Sequence, residues 1–456
     1  MINKIFFVLV MWFIISCNES TSKPEANSKM VQFITLDPGH FHAALVQKTM
    51  YADVDSVVHV YAPAGTDVQL HLDRINAYNT RASDPTHWKE EVYTGDDYLE
   101  KMLAEKKGNV VVLSGNNQKK TEYILESLQA GFNVYADKPM VINSEKFEML
   151  KQAFETAKQK NLLLYDIMTE RFEITTILQR ELSMLPEVFG TLETGSQANP
   201  SVEMASRHSF YKYVSGNVLT RPAWFMDASQ QGEGIVDVTT HLVDLVQWEC
   251  FPEQSLDYTK DIVVNAAKRY PTNMTASQFK TITKLDSIPS YFKNNIVKDS
   301  ILEVYSNGEI SYQVRGVHAK VSVQWDYQSP GGTDSHYSML RGTKATLVIR
   351  QGAEQQYKPT LYIEPVSNNA DYEKILQDQI KKIQEKYPGV ELKKVDKGWE
   401  VVIPEKYKEG HEAHFAQVTK NFLEYFKNHN MPEWEVPNML SKYYTTTKAL
   451  ELARQK

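Results

Sequence analysis

Residues 31–47 of the chain read VQFITLDPGHFHAALVQ. Residues 31–36 form an apolar run of strand length, residues 37–42 contain a proline and a glycine that predict a turn, and the residues from 43 onward favour a helix. A second apolar run, residues 56–61, follows at the spacing of a β-α-β unit. This stretch therefore predicts a fold in which strands and helices alternate.

The same alternation continues along the chain. Continuous apolar strands separated by helical patterns are typical of a parallel sheet that helices cover on both faces. We predict an α/β fold that begins with a Rossmann-like, doubly wound parallel sheet over residues 31–168. Its later elements are predicted strands over residues 109–114, 133–136 and 162–165 and predicted helices over about residues 121–130 and 144–160.

The first strand-to-helix turn is where a dinucleotide-binding sheet usually carries the glycines of a G-x-G-x-x-G motif. Residues 37–42 match that motif only at Gly39. The second strand ends in Tyr61-Ala62-Pro63, which offers no acid for the ribose of NAD. The turn alone therefore leaves a plain strand-to-helix connection open, and the choice between NAD and NADP is open as well.

A stronger signal follows the strand over residues 133–136, where the chain reads Asp137-Lys138-Pro139. A lysine at the carboxyl end of a parallel strand can hydrogen-bond a substrate hydroxyl and the ribose of a nicotinamide cofactor. Residues 114–117, Ser-Gly-Asn-Asn, end the preceding strand and can contact the same cofactor.

Residues 232–245 read GEGIVDVTTHLVDL. Their polar side chains at Asp237, Thr240, His241 and Asp244 recur at helical spacing and predict one polar stripe on an otherwise apolar helix. Such a stripe is either a solvated face or the wall of a catalytic site.

Together these stretches resemble the Gfo/Idh/MocA family of NAD(P)-dependent oxidoreductases. The family motifs T-P-N-x-x-H, A-G-x-x-V and E-K-P align without a gap from Asn117 to Pro139, with Lys120 in place of the histidine and Asp137 in place of the glutamate. Residues 232–245 are similar to the family's G-x-x-x-D-x-x-x-H helix, with the glycine one residue off its spacing.

The resemblance implies hydride transfer between a ring hydroxyl of a sugar or glycoside and nicotinamide. His241 is then the general base, acting near its unperturbed pKa, and Lys138 polarises the hydroxyl oxygen. No metal ligands are expected. The predicted substrate-binding residues are Asp237, Arg171 and Trp224, with Arg207, His208 and Lys212 as further rim candidates, and the predicted cofactor-binding residues are Gly39, His40, Phe41, Ser114, Asn117, Asp137, Lys138 and Pro139.

The remainder of the chain, residues 169–456, resembles the family's second domain. The resemblance implies an α+β domain with a large open, mostly antiparallel sheet of about six strands, through which copies of the chain can form a homo-oligomer. Residues 351–409 are expected to be an insertion that contains a charged helix over 371–386. Closing helices are predicted from residue 411 to about residue 453.

The first residues of the chain predict the compartment. Residues 1–16 contain one lysine followed by an apolar run of signal-peptide length that stops at Ser16-Cys17. The pattern resembles the lipobox of bacterial lipoproteins and favours a lipid anchor on Cys17 over ordinary cleavage or a retained membrane anchor, with residues 17–30 as a flexible tether. We expect the protein in the cell envelope, facing the periplasm or on the outer membrane. Cys250 is the only other cysteine, so an intrachain disulfide or a cysteine metal site is not expected.

The composition and net charge indicate which classes of binding partner are expected. Hydrophobic residues make up 42% and charged residues 23% of the chain, as in globular proteins. Lys and Arg number 50 against 57 Asp and Glu, a formal charge of −7, which argues against nucleic acid as a partner. The expected partner is a small carbohydrate.

Export creates a conflict, because the cell envelope is expected to lack a free NAD(H) pool. One solution is a tightly bound NAD or NADP that is recycled by a second sugar or carbonyl. Another is a redox-neutral glycosidase of the same family, which oxidises a ring hydroxyl, eliminates the glycosidic substituent and reduces the ring again. A third possibility is a carbohydrate-binding lipoprotein without catalysis. Denaturing the protein and assaying for released NAD(P) separates the last from the first two.

Overall fold

The structure is a computed structural model that describes residues 31–214, 216–298, 300–367 and 369–455, apart from the side chain of Val214. The predicted signal peptide, Cys17 anchor and tether lie outside these residues. None of the helices described is long and apolar enough to cross a bilayer.

The amino-terminal part contains a six-stranded parallel sheet in the order β3-β2-β1-β4-β5-β6. The predicted Rossmann-like doubly wound sheet is confirmed. Its strands are β1 (Phe33–Leu36), β2 (Val57–Ala62), β3 (Lys89–Thr94), β4 (Val110–Leu113), β5 (Asn133–Asp137) and β6 (Leu164–Ile167). Its helices are α1 (His42–Val46), α2 (Thr66–Thr80), α3 (Tyr98–Glu105), α4 (Asn117–Ala130) and α5 (Phe147–Lys160).

The central strands form where the sequence is continuously apolar. Every residue of β1 and of β4 is buried, because helices cover both faces of the sheet. Strand β3, with the sequence KEEVYT, is mostly exposed at the sheet edge. A polar edge strand of this kind carries no apolar run, and the sequence analysis did not predict it.

The second part contains a ten-stranded sheet in which β7 and β13 pair in parallel and all other pairs are antiparallel. The sheet order is β10-β12-β13-β7-β14-β15-β16-β18-β17, with β11 beside β12. Its strands are β7 (Val202–Ser209), β10 (Ile262–Thr275), β11 (Ile296–Val297), β12 (Ile301–Val314), β13 (Val317–Asp326), β14 (Ser335–Arg341), β15 (Ala345–Arg350), β16 (Thr360–Pro365), β17 (Glu391–Val395) and β18 (Gly398–Val402), and a separate hairpin contains β8 (Tyr213–Val214) and β9 (Asn217–Val218).

The predicted mostly antiparallel sheet is therefore confirmed, but the expected number of about six strands is wrong. Residues 351–409 extend one edge with β16, β18 and β17. The charged helix predicted there is α9 (Ala370–Lys386), which buries Tyr372, Leu376 and Ile380 along one face. The segment thus enlarges the main sheet and its core.

The remaining helices are α6 (Ile174–Ser183), α7 (Thr239–Cys250), α8 (Ala276–Thr283), α10 (His411–Asn428) and α11 (Glu435–Arg454). The last two confirm the predicted closing helices. They return to the first sheet, where Phe415, Phe422 and Tyr443 enter the core formed by β1, β4 and β5. A buried lysine on α11, Lys442, lies 2.7 Å from Asp166 of β6 and 2.9 Å from Asp244 of α7.

Candidate functional site

A cavity of about 840 Å³ lies at the carboxyl ends of β1, β4 and β5. Its floor is formed by the loops that follow these strands, and its opposite wall by β7, β13, β14 and the first turns of α7 and α10. Ligands of open parallel sheets bind at this edge. The cavity is lined by His40, Phe41, His42, Asn117, Asp137, Lys138, Glu170, His208, Lys212, Arg221, Gln231, Asp237, His241, Trp325, Asp334, His336 and His411, among other residues.

The two motifs that carried the sequence analysis meet in this cavity. Lys138, directly after β5, lies 2.6 Å from Oδ1 of Asp237, and both side chains are more than nine-tenths buried. Gln231 donates to the other carboxylate oxygen of Asp237 at 3.1 Å. A cation and an acid separated by 99 residues in sequence are thus held as one pair at the cavity wall.

Asp237 precedes α7 instead of lying on it, because that helix begins at Thr239. Gly234 packs so closely on β12 that a methyl carbon there would lie 1.8 Å from the Ser306 carbonyl oxygen. The predicted polar stripe is also divided between two environments. Asp237 and His241 face the cavity, whereas Asp244 is buried in an ion-pair cluster.

His241 lies in the first turn of α7 and faces the same cavity as Lys138. Its Nδ1 atom is buried and has no hydrogen-bond partner among the residues described. Burial, and then the charge of Lys138, hold the pKa of His241 well below its ordinary value. The expectation of a base near its unperturbed pKa is therefore wrong, and the imidazole is neutral at pH 7.

Asp137 is the last residue of β5, and three side chains from other segments lie next to its carboxylate. His42 Nδ1 lies 2.9 Å and His40 Nδ1 3.6 Å from Asp137 Oδ2, and Ser114 donates to the same oxygen at 3.0 Å. Lys120, which replaces the family's histidine, donates to the backbone carbonyl of Asp137 at 2.9 Å. Burial lowers the pKa of Lys120 to about 8.

The glycine turn is covered by an aromatic side chain. Trp224 donates from its indole to Asp67 at 2.7 Å, and a methyl carbon on Gly39 would lie 2.9 Å from the indole ring. Asn116 and Asn117 hold the neighbouring backbone by hydrogen bonds to Gln230 and Gln231. Trp224 therefore lies outside the cavity lining, and the prediction that it contacts substrate gains no support from this position.

Arg171 also lies outside the cavity lining. Its guanidinium donates to both carboxylate oxygens of Asp244, at 2.7 and 2.8 Å, and to Glu435 at 2.8 Å. These acids engage the guanidinium in a buried cluster, so the position does not fit the predicted role in substrate binding. Arg207, another rim candidate, is paired with Asp326.

Some of the remaining predicted residues line the cavity, and the others do not. His40, Phe41, Asn117, Asp137 and Lys138 line the cavity, as do His208 and Lys212 of the rim candidates. Ser114 is buried behind Asp137, and Pro139 follows Lys138 through a cis peptide bond. Gly39 lies under Trp224.

Sequence analysis missed several polar residues of the far wall. Asp334 lies 3.0 Å from His208 and 2.9 Å from Lys212, which outweigh burial and hold its pKa below the usual range. Burial, followed by Glu173 and Asp334, raises the pKa of Glu170 to about 7. Neither acid belongs to a local sequence motif. They lie near each other only in the folded chain, where both line the cavity.

The residues present fit a polar ligand at the nicotinamide end of a dinucleotide site. Several cavity residues have a buried polar atom without a partner among the residues described, namely His40 Nδ1, Asn117 Oδ1, Gln231 Oε1, His241 Nδ1 and His336 Nε2. Unpaired buried groups of this kind are costly, and a bound ligand can satisfy them. The diphosphate of a dinucleotide would in addition require Trp224 to leave the face of Gly39.

Two family models together match nearly all of the described chain. Residues 36–166 match the model described as "Oxidoreductase family, NAD-binding Rossmann fold". Residues 178–454 match the model described as "Putative oxidoreductase C terminal domain". A search of curated proteins returned no match.

Solved structures are similar over almost the whole chain. A "putative oxidoreductase from Parabacteroides merdae ATCC 43184" is 57% identical, with a TM-score of 0.91, 94% of this chain covered and 98% of that one. Levoglucosan dehydrogenase in complex with NADH and L-sorbose is 12% identical, with a TM-score of 0.59 and coverages of 93% and 97%. A 3-ketoreductase from Actinomadura kijaniata in complex with NADP is 12% identical, with a TM-score of 0.56 and coverages of 92% and 97%. At that identity these two structures show a shared fold. The chain belongs to the Gfo/Idh/MocA family of oxidoreductases and carries its NAD-binding Rossmann domain.

Proposed function

We propose that the protein is an NAD(P)-dependent oxidoreductase that transfers a hydride between a ring C–OH of a sugar or glycoside and nicotinamide. The observation that carries this proposal is the convergence of Lys138, Asp237 and His241 on one cavity at the carboxyl edge of the parallel sheet. A bound dinucleotide would supply the hydride acceptor.

His241 removes the proton of the substrate hydroxyl. Its neutral imidazole lines the cavity and can accept that proton. Lys138 donates to the same substrate oxygen and stabilises the negative charge that develops when the proton leaves. Asp237 holds the Lys138 ammonium in place, and its carboxylate can also accept from a neighbouring hydroxyl.

The cofactor would lie along the residues predicted from sequence. His40, Phe41, Asn117, Asp137 and Lys138 would contact the nicotinamide half, with Ser114 and Pro139 behind them. The diphosphate half would lie over Gly39 once Trp224 has moved. We expect tight binding, because an exported enzyme has to retain its cofactor; the end of β2 offers no residue that decides between NAD and NADP.

The far wall supports a carbohydrate as substrate. His208, Lys212 and Asp334 present hydrogen-bonding groups beside the Trp325 ring, whose centroid lies 5.1 Å from that of His208. A cavity wall with several hydrogen-bonding side chains suits a ligand that carries several hydroxyl groups.

Extraction of the purified full chain tests the proposal. Denaturation should release NAD or NADP, or the folded protein should bind added NAD(P)H. With a glycoside substrate, His241→Ala should lower turnover by about 10²–10⁴-fold. His87→Ala, which removes an exposed imidazole outside the cavity, should behave as wild type. Absence of both released and bound dinucleotide would refute the proposal and favour the carbohydrate-binding lipoprotein.

A redox-neutral glycosidase is the second candidate, and Glu170 favours it. A cavity-lining carboxylic acid with a pKa of about 7 can protonate a departing glycosidic oxygen near neutral pH. Incubation with an aryl glycoside separates the two candidates. The glycosidase releases the aryl alcohol and free sugar, and loses that activity in Glu170→Gln; the dehydrogenase accumulates a keto-glycoside.

Location and assembly complete the proposal. We place the protein in the bacterial cell envelope, anchored through a lipid on Cys17. Exposed apolar side chains on the edge strand β10, Val263 and Tyr270, support a homo-oligomer through the open sheet. Light scattering of the purified protein should give a mass above that of one chain.

A further inference from the structure

Three side chains at the edge of the parallel sheet form a potential metal-binding group. His40 and His42, in the turn after β1, and Asp137, at the end of β5, each offer one ligand atom, and these atoms lie within 4.8 Å of one another. Tetrahedral zinc with bonds of about 2.0–2.2 Å holds its ligand atoms about 3.3–3.6 Å apart. The 3.6 Å separation between His40 Nδ1 and Asp137 Oδ2 matches that geometry. The 2.9 Å separation between His42 Nδ1 and the same oxygen is a hydrogen-bond distance and would have to lengthen by about 0.4–0.7 Å.

We propose that His40, His42 and Asp137 bind a divalent transition-metal ion, with zinc as the best match to the donor set. Two imidazoles and one carboxylate are the ligands of many zinc and non-haem iron sites. With three protein ligands, at least one coordination position would remain for a water molecule or a substrate oxygen. The group lines the cavity, so that position would be accessible to a ligand there.

An ordinary hydrogen-bond network explains only part of the group. Asp137 Oδ2 accepts from His42 and Ser114, which accounts for those two side chains. His40 Nδ1 is buried, and its 3.6 Å separation from Asp137 is too long for a hydrogen bond. A metal ion between these atoms would satisfy the otherwise unpartnered nitrogen.

A cationic side chain beside the three proposed ligands has an acidic partner of its own. Nearby Lys138 is already paired with Asp237, which reduces its repulsion of a cation.

The surroundings also provide the support that metal ligands require. The Asp137 and His42 side chains are 5% and 9% exposed, so both are fixed by packing. Ser114 donates to the ligating carboxylate, and Lys120 fixes the backbone of the same residue. Outer-shell hydrogen bonds of this type orient metal ligands.

This inference does not rest on the proposed hydride transfer. It gives His40 and Asp137 a role in metal binding besides the cofactor contact proposed above, and it departs from the sequence analysis, which expected no metal ligands. An ion here would stand close to Lys138 and His241, where it could polarise an oxygen of the bound carbohydrate.

Metal titration of the full chain tests the inference. The protein is purified, dialysed against a chelator, and titrated with Zn²⁺ by calorimetry and with Co²⁺ by visible absorption. We expect one ion per chain and a Co²⁺ spectrum of low coordination number. His42→Ala and Asp137→Asn should each weaken Zn²⁺ binding by more than about 100-fold, beyond the 10–100-fold typical of an outer-shell partner.

Controls separate loss of ligands from loss of fold. His40→Asn is the mildest change, because His40 makes no hydrogen bond through Nδ1, and it should abolish the Co²⁺ spectrum while leaving the thermal unfolding curve unchanged. His87→Ala should bind as wild type does. The inference is overturned if wild type binds no ion above the level of His40→Asn, or if all variants keep wild-type affinity. Dinucleotide measured on the same samples reports independently on the proposed function.

Discussion

At the scale of single residues, the Lys138–Asp237 pair determines what His241 can do. The ammonium is fixed 2.6 Å from its carboxylate, yet its charge still lowers the pKa of His241 after burial has done so. The imidazole is thus a weaker base than in solution but remains deprotonated to lower pH. The lowered pKa makes His241 a weaker base but keeps its imidazole neutral over a wider range of pH.

This arrangement predicts the pH dependence of alcohol oxidation. The reaction requires neutral His241, so kcat/KM should fall only when the pH drops through the lowered pKa, below the ordinary value of 6.5. Lys138→Met removes a cation that depresses this pKa, so the acid limb of the profile should move to higher pH. Lys138→Arg keeps the charge and should leave the limb in place. An acid limb at or above 6.5 in wild type would contradict the assignment.

The structure brings the predicted catalytic residues together in one cavity, but it does not do so for all of the predicted binding residues. Lys138, Asp237 and His241 each belong to a motif with fixed spacing, and the structure brings all three to one cavity. Arg171 was predicted to bind substrate, but its two acidic partners in the structure, Asp244 and Glu435, lie 73 and 264 residues away in the sequence. Whether an arginine binds substrate or a buried acid depends on its burial and on partners distant in sequence, and the neighbouring residues in the sequence show neither.

At the scale of elements, the segment before α7 determines access to the glycine turn. The short 3₁₀ helix Ala223–Met226 presents Trp224 to Gly39, and the hydrogen bond to Asp67 of α2 ties this segment to the first sheet. In the proposed binding mode, a dinucleotide and the indole would compete for the same surface.

Shortening this side chain should therefore help the cofactor to bind. We expect Trp224→Ala to bind NADH more tightly than wild type, because the diphosphate no longer has to displace the ring. Trp224→Phe keeps a ring but loses the hydrogen bond to Asp67, and its affinity should lie between the two. Calorimetric titration with NADH measures all three. Weaker binding by Trp224→Ala would mean that the indole contacts the cofactor instead.

Elements with a strong apolar pattern were predictable and those without one were not. Buried strands such as β1 and β4, and the amphipathic helix α9, were predicted from sequence close to their observed bounds. The polar edge strand β3 was missed, as was helix α2, which buries only four of its fifteen residues. The expected number of strands in the large sheet was too low, because residues 351–409 were expected to be an insertion. In the structure they add β16, β17 and β18 to the sheet.

At the scale of the whole molecule, α11 joins both sheets through a buried lysine. Lys442 is fully buried between Asp166 and Asp244, and Arg171 and Glu435 extend the same cluster. Replacing one member of a buried pair leaves an uncompensated charge, at a cost of about 3–5 kcal/mol.

Lys442→Met should therefore lower the free energy of unfolding by about that amount, through the unpaired carboxylates. Lys448→Met on the same helix removes only a partly exposed pair with Glu451, and should cost at most about 1 kcal/mol. Urea unfolding followed by circular dichroism compares the two variants. Equal losses would show that the buried cluster contributes no more than a surface pair.

The proposed location of the molecule depends on Cys17, which lies outside the described residues. Growth of the producing cells with a labelled fatty acid should label the wild-type chain, and Cys17→Ser should abolish the label. Cys250→Ser, which changes the other cysteine, should leave labelling intact. A wild-type chain without label would overturn the proposed anchor.

The cluster around Lys442 also affects how the chain can be made. Asp166 belongs to the last strand of the first sheet and leaves the ribosome long before its cationic partner on α11 does. Until then the nascent protein holds a carboxylate that has no counterion in its final environment. Halves of this polypeptide expressed separately should consequently be poorly soluble, and a premature stop ahead of α11 should direct the product to proteolysis.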